Sequence, residues 1–407
     1  MKERFGKKFW ITALIVAVLV TIILSASIIS AIAKNVAAQP KTVRESALAT
    51  PDTGGEKMLN ERIYSTTHNR SRWLYDLINI SGKAKLTDSS DPQKIFAAAH
   101  RCGVVSDYTE DDMFQPLTRL FVAQTAVKAL GYKQRSPGRI ADINSMQIDM
   151  GTMAFYGYFL PDVNAMVHPD REITAEEYES LLVQLDLYAK LKGKTILSFG
   201  DSIMHGSGNN DEGIAVMIAE KYGMTAVDYS VPGAAMGDRI GRAQIINQIP
   251  LAVKEKIKPD IILINGGTND MYRVPLGAYT EGYDMTDTSI ESFTGGFEKT
   301  LWSIINNWYG VPIIYVRAHN MNLGADANER RFGERAISVA CKWGIGYVDL
   351  YEDTDMNTED SYACGRYTYV DPDVGNIPDS IHPNALGYAK FYLPAITDEI
   401  VTRLSEE

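Results

Sequence analysis

Two short segments carry the residue types needed for covalent acyl chemistry. Gly200-Asp201-Ser202 follows an apolar run, and Asp379-Ser380-Ile381-His382 lies near the C-terminus. A serine hydroxyl is a poor nucleophile until a base takes its proton and a third group orients that base. Ser202, His382 and Asp379 supply these three parts. The step of three residues from Asp379 to His382 lets one turn hold the imidazole tautomer while the other ring nitrogen faces the serine. His205 and His319 have no Asp at matching spacing and are read as pocket or surface residues.

The intermediates of such a reaction carry an oxyanion that needs hydrogen-bond donors, and two further segments hold suitable ones. Ser230-Val231-Pro232-Gly233-Ala234-Ala235-Met236-Gly237 contains Gly233, where the missing side chain lets a backbone N–H approach a substrate closely. Taken alone, Gly233 reads first as a turn residue. Asn265-Gly266-Gly267-Thr268-Asn269-Asp270 contains Asn269, a neutral amide donor suited to an oxyanion. By itself that segment is equally an Asn-Asp turn with capping roles. The G-x-S-x-G nucleophile elbow is not met, because Met204 stands in its last position.

The elements that must position these residues alternate along the chain. Short apolar runs at 195–199, 226–229, 261–264, 313–316 and 346–350 are separated by amphipathic stretches near 214–222, 239–249, 297–309 and 329–343. This rhythm predicts a parallel sheet with helices on both faces. In open sheets of this kind, sites form beyond the carboxyl ends of the strands. The segments bearing Ser202, Gly233 and Asn269 each follow such a run directly.

The four segments together, in this order, resemble the SGNH (GDSL-type) hydrolase family over about half of the chain, residues 194–404. Every family position in these motifs is filled. The resemblance implies a flavodoxin-like three-layer α/β/α domain with a mainly parallel five-stranded sheet. It also implies that Ser202 is the nucleophile and His382 the base, oriented by Asp379. The oxyanion hole would be formed by the Ser202 N–H, Gly233 and Asn269. The implied reaction is hydrolysis of a carboxylic ester through an acyl-enzyme, with no metal and no cofactor.

Composition bounds the alternatives. The chain has 407 residues, long enough for two or more domains, with 45% hydrophobic and 22% charged residues, as in an ordinary globular protein. A net charge of −11 argues against a nucleic-acid partner, since such binding is dominated by cationic contacts to phosphate. Residues 9–33 form an apolar stretch without a charged side chain, preceded by Lys2, Arg4, Lys7 and Lys8 and followed by Lys34. Its length suits a membrane-spanning anchor with the N-terminus in the cytoplasm. The alternative is a cleaved signal peptide ending near 31–33 or 36–38. Both readings export the catalytic part.

The expected organisation is a cytoplasmic tip and anchor at 1–34, a polar linker at 35–91, a small helical repeat domain at 92–190 and the hydrolase domain at 191–407. A helix around 56–78, with Trp73, Leu74, Leu77 and Ile78, is read as a stalk or a packing segment. Within 92–190, two copies place a helix, a glycine turn (Gly103, Gly157) and a threonine-started helix (Thr118, Thr174) in succession. The pattern resembles the S-layer homology repeat, although the family's Thr-Arg pair, Thr118-Arg119, becomes Thr174-Ala175 in the second copy. That resemblance implies a cell-wall polysaccharide partner; the other reading is a helical domain that packs against or spaces out the catalytic one. Cys102, Cys341 and Cys364 show no metal-binding spacing. Cys341 and Cys364 could pair, or all three could remain thiols.

The expected function is therefore an extracytoplasmic, membrane-tethered serine esterase acting on an acylated small molecule or carbohydrate, in the first place on O-acetyl groups of polysaccharide or cell-wall glycan. The alternatives are a cell-surface polysaccharide-binding protein with an idle hydrolase domain, and a lipase or acyltransferase of the same fold. Residues 352–377, with Tyr362, Tyr367 and Tyr369, either shape the pocket or form a plain surface loop.

Overall fold

Five short runs rich in β-branched and other apolar residues form the centre of the fold. They are β1 (Thr195–Phe199), β2 (Thr225–Asp228), β3 (Ile261–Asn265), β4 (Ile313–Arg317) and β5 (Gly346–Asp349), paired in the order β2-β1-β3-β4-β5. All four pairings are parallel. Every residue of β3 and β4 is buried, as required of strands covered on both faces. Helices Ile214–Tyr222 and Leu393–Ser405 pack on one face, and Phe293–Asn307 and Asp326–Lys342 on the other. The computed structural model describes residues 69–405, apart from 136–139, 145–146, 239–240, 283–288, 322–325 and 374. The apolar stretch at 9–33 lies outside the described residues. Among those described, no helix is long and apolar enough to cross a membrane.

The residues before β1 form helices. Arg70–Ile80 buries Trp73, Leu74, Leu77 and Ile78, and the Trp73 indole N–H donates to Thr125 Oγ1 at 2.8 Å. Most of the helix expected at 56–78 lies outside the described residues; its described part, from Arg70, is packed. Thr118 caps Arg119–Leu130, and Thr174 caps Ala175–Leu191 in a full capping box with Glu177. This last helix packs against Ile214–Tyr222 and Leu393–Ser405, joining the helical part to the α/β part. Cys102, Cys341 and Cys364 are free thiols.

Two segments differ from the sequence expectation. The helix expected at 239–249 is displaced: a 3-10 turn spans Ile245–Gln248 and the helix is Ile249–Lys254. The cause is local. Backbone bonds from Ala235 N–H to Ala243 and from Ile245 N–H to Ala235 hold 243–244 extended against the loop after β2. Pro250 then occupies the first turn of the helix, the place where a missing N–H costs little. The stretch 352–377 contains a helix, Ser361–Tyr367, and strand β6 (Thr368–Asp371), which pairs antiparallel with β7 (Ile377–Pro383). Its alternation is masked by prolines, acids and glycine. Neither Tyr362, Tyr367 nor Tyr369 lines the cleft described below.

The sheet predicts its own sensitivity. Leu263 is fully buried in the central strand, so Leu263→Ala should lower unfolding stability by about 2–5 kcal/mol. Urea denaturation reads this directly, and a change below about 0.5 kcal/mol would be inconsistent with the burial described.

Candidate active site

The turn after β1 is held on all sides before Ser202 is reached. The buried Gln248 side chain clamps the Gly200 backbone: Gly200 N–H donates to its Oε1 at 2.9 Å, and its Nε2 donates to Gly200 O at 2.7 Å. Asp201 is fully buried and caps the one-turn helix Ser202–His205 by accepting from Ile203 N–H at 2.9 Å. Burial pushes its carboxyl up to about 6, against the pull of the backbone donors around it. The Ser202 side chain emerges at the carboxyl end of β1 with its own N–H beside it.

His382 arrives on β7 through an interruption in strand pairing. Val370 pairs with Pro378 and Thr368 with Pro383, so residues 379–382 stand opposite Tyr369 alone. The flanking prolines carry no N–H, which suits the ends of a wide bulge. Ser380 takes a left-handed conformation (φ 61°) to complete it. Within the bulge, Asp379 Oδ1 accepts from the N–H groups of Ile381 and His382, each at 2.9 Å. Asp379 Oδ2 lies 2.5 Å from His382 Nδ1, and His382 Nε2 lies 2.8 Å from Ser202 Oγ. Partial burial alone would raise the Asp379 carboxyl; the bonds from the His382 side chain and from the two backbone N–H groups outweigh it and hold the group below its ordinary value. An ionised Asp379 fixes the proton on Nδ1 and leaves Nε2 free to accept from the serine hydroxyl.

Gly233 and Asn269 face the same place from the loops after β2 and β3. The buried Asp270 carboxylate accepts from Met236 N–H at 3.0 Å and Gly237 N–H at 2.8 Å, fixing the loop that bears Gly233. Asn269 Nδ2 donates to Ala234 O at 2.9 Å and approaches Asp201 Oδ2 at 3.5 Å. Gly233 has φ 80°, and a Cβ there would stand 3.0 Å from Arg242 Nη1. Ser202, Gly233, Asn269 and His382 all open onto one cleft of about 560 Å³, whose wall also includes Tyr272, Arg242 and Arg273.

The structure thus brings Ser202, Asp379, His382, Gly233 and Asn269 together. His319 is different from the expectation: it lies neither in the pocket nor at the surface. It is fully buried behind the Asp379–His382 bulge, with Nδ1 2.6 Å from Tyr392 Oη. Its Nε2 is buried without a hydrogen-bond partner among the described residues. His205 is half-buried between Asp211 and Asp228. Sequence reasoning missed Gln248, Arg242 and Arg273. Reading 239–249 as a helix hid the first two, while Arg273 stands only four residues beyond Asn269 and could have been suspected there. Among the described residues, no group of three His, Cys, Asp or Glu side chains is arranged to hold a metal ion.

Residues 198–390 match the model of the GDSL-like lipase/acylhydrolase family. No curated protein matches the chain. Among solved structures, a Lactobacillus plantarum protein is similar at 19% identity and a TM-score of 0.41, over 53% of this chain and 99% of that one. A carbohydrate acetylesterase from Sinorhizobium meliloti is similar at 14% identity and a TM-score of 0.36, over 51% and 99%. A family two carbohydrate esterase from Clostridium thermocellum, in complex with cellohexaose, is similar at 16% identity and a TM-score of 0.37, over 53% and 66%.

Burial pushes His319 down to about 4, so the imidazole is neutral in the folded protein over most of the working range. Unfolded, it titrates near an ordinary value of about 6.5. Between these values the unfolded chain binds the extra proton, so this residue's contribution to stability falls as pH drops from 6.5 towards 4. His319→Gln should therefore lose less Tm than the parent over that window. Equal losses in both proteins, followed by thermal melts, would contradict a buried neutral His319.

Proposed function

Residues 198–390 are a GDSL-like lipase/acylhydrolase domain, an SGNH-type hydrolase, and on that premise we propose that the protein is a serine esterase acting through Ser202, His382 and Asp379. The observation that carries this reading is the continuous hydrogen-bonded chain from Asp379 through His382 to Ser202, opening onto the cleft that Gly233 and Asn269 share.

The geometry supports acyl transfer through a covalent intermediate. His382 Nε2 takes the Ser202 proton as Oγ attacks the ester carbonyl, and Asp379 stabilises the imidazolium that forms. The oxyanion that develops is met by the N–H groups of Ser202 and Gly233 and by the Asn269 amide. Asp270 fixes the loop bearing Gly233 and Ala234 O holds the Asn269 amide, whose second N–H turns from its long 3.5 Å contact with Asp201 to the oxyanion. His382 then returns the proton to the leaving alcohol, and the same steps run with water to release the acid.

The cleft wall favours a short acyl group on a polar alcohol. Among the described residues that line it, only Pro232 and Ile381 are aliphatic, while Ser207, Thr268 and Asn269 offer hydrogen-bonding groups. An O-acetylated carbohydrate suits these features. The apolar stretch at 9–33 and its basic flank support an extracytoplasmic location, tethered or released by cleavage.

Steady-state kinetics on p-nitrophenyl acetate test the reading. Ser202→Ala should lower kcat by at least about 10⁴-fold, and Asn269→Ala by about 10²–10³-fold with a much smaller change in KM. Turnover unchanged in Ser202→Ala would overturn the assignment.

A further inference from the structure

Esterase chemistry leaves two charges in the cleft unused. Arg242 and Arg273 line the same cleft as the reacting serine, entering from the loops after β2 and β3. Both are exposed. Among the described residues neither guanidinium has a hydrogen-bond or ion-pair partner, and no carboxylate lines the cleft wall. Several other arginines of the fold are paired with carboxylates: Arg317 with Asp349, Arg330 with Glu352, Arg403 with Glu399, and Arg119 and Arg171 with Glu177. The chain has 51 acidic against 40 basic residues. Two unneutralised guanidinium groups in the cleft of so acidic a protein run against its average.

Their placement is close to the chemistry. Arg242 Nη1 lies against Gly233, 3.0 Å from where a Cβ would stand. Arg273 closes the turn that carries Asn269, its N–H donating to Asp270 O at 3.0 Å. A guanidinium is charged at any physiological pH, and its fork of donors matches the paired oxygens of a carboxylate or phosphate. An anionic polymer approaching this molecule is repelled by the net negative charge, and the two arginines supply the local attraction that seats it.

We propose that Arg242 and Arg273 make the enzyme selective for acylated carbohydrates that carry an anionic group, carboxylate or phosphate, near the ester. This rests on the esterase reading above and names the substrate class of that site. Acyl transfer itself proceeds as already described; the arginines bind and orient the alcohol portion and take no part in bond making.

The test compares acetate release from three esters: an O-acetylated methyl glucoside, the corresponding methyl glucuronoside and an O-acetylated glucose phosphate. The full-length protein, Arg242→Ala/Arg273→Ala and Arg242→Lys/Arg273→Lys are measured on each. The wild type should favour one of the anionic esters in kcat/KM by roughly 10- to 100-fold, the range expected for a charge-assisted hydrogen bond. Which one it favours identifies the anion. The preference should shrink severalfold between about 0.02 M and about 0.5 M salt as the charges are screened. In the double alanine variant the ratio should fall to within about twofold of unity, with the lysine variant between the two. The ratio is internal to each protein, so loss of folded material leaves it unaffected. Equal kcat/KM for neutral and anionic esters in the wild type would overturn the inference. So would an equal factor lost on all three esters by the alanine variant, which would put the arginines on the reacting atoms instead. Turnover of none of the three would overturn the esterase reading, and this inference with it.

Discussion

The 2.8 Å hydrogen bond between Ser202 and His382 joins two segments from opposite ends of the α/β part, and much of the surrounding structure acts to hold it. One side is set by β1 and the Gln248 clamp on Gly200. The other is set by the bulge between Pro378 and Pro383. Two contacts fix the gap between them. Tyr388 Oη, from the helical segment that follows β7, donates to Ile203 O at 2.7 Å, one residue beyond Ser202. The loop after Ser202 also passes so close to β7 that a Cβ on Gly208 would stand 2.6 Å from Pro383 O and 2.8 Å from His382 Cβ. The Ser202–His382 pair is therefore braced by main-chain and buried side-chain contacts rather than by flexible surface groups.

Electrostatics complete the brace by keeping each charge where the chemistry can use it. Asp379 is held ionised by donors within its own bulge, so it favours the imidazolium. His319, directly behind that bulge, is kept neutral by burial; a second cation there would work against the first. Asp270 spends its charge on two backbone N–H groups of the loop carrying Gly233. Among the described residues, Arg242 and Arg273 carry positive charge on the cleft wall.

The parallel sheet was legible because 195–199, 261–264 and 313–316 are dense in β-branched and other apolar residues with polar turns after them. The placement of Ser202, Gly233 and Asn269 followed from the same pattern, since each stands just past a strand. β7 was not legible as a strand, because Pro378, Asp379 and His382 are poor strand formers and its pairing depends on a partner in a segment that reads as loop. Arg242 was hidden for a similar reason. The amphipathic spacing of 239–249 suggested a helix, while tertiary hydrogen bonds to Ala235 draw 243–244 into an extended conformation. His319 shows the same limit: only the assembled fold places it behind a bulge distant in sequence.

The central claim is that Ser202 is an activated nucleophile because His382 and Asp379 are hydrogen-bonded to it. Covalent labelling with a small alkyl fluorophosphonate, followed by peptide mass mapping, tests this most directly. The account predicts a single adduct on Ser202, formed rapidly in the parent protein and suppressed in His382→Ala. Labelling of a different serine, or a Ser202 adduct formed equally fast without His382, would contradict it.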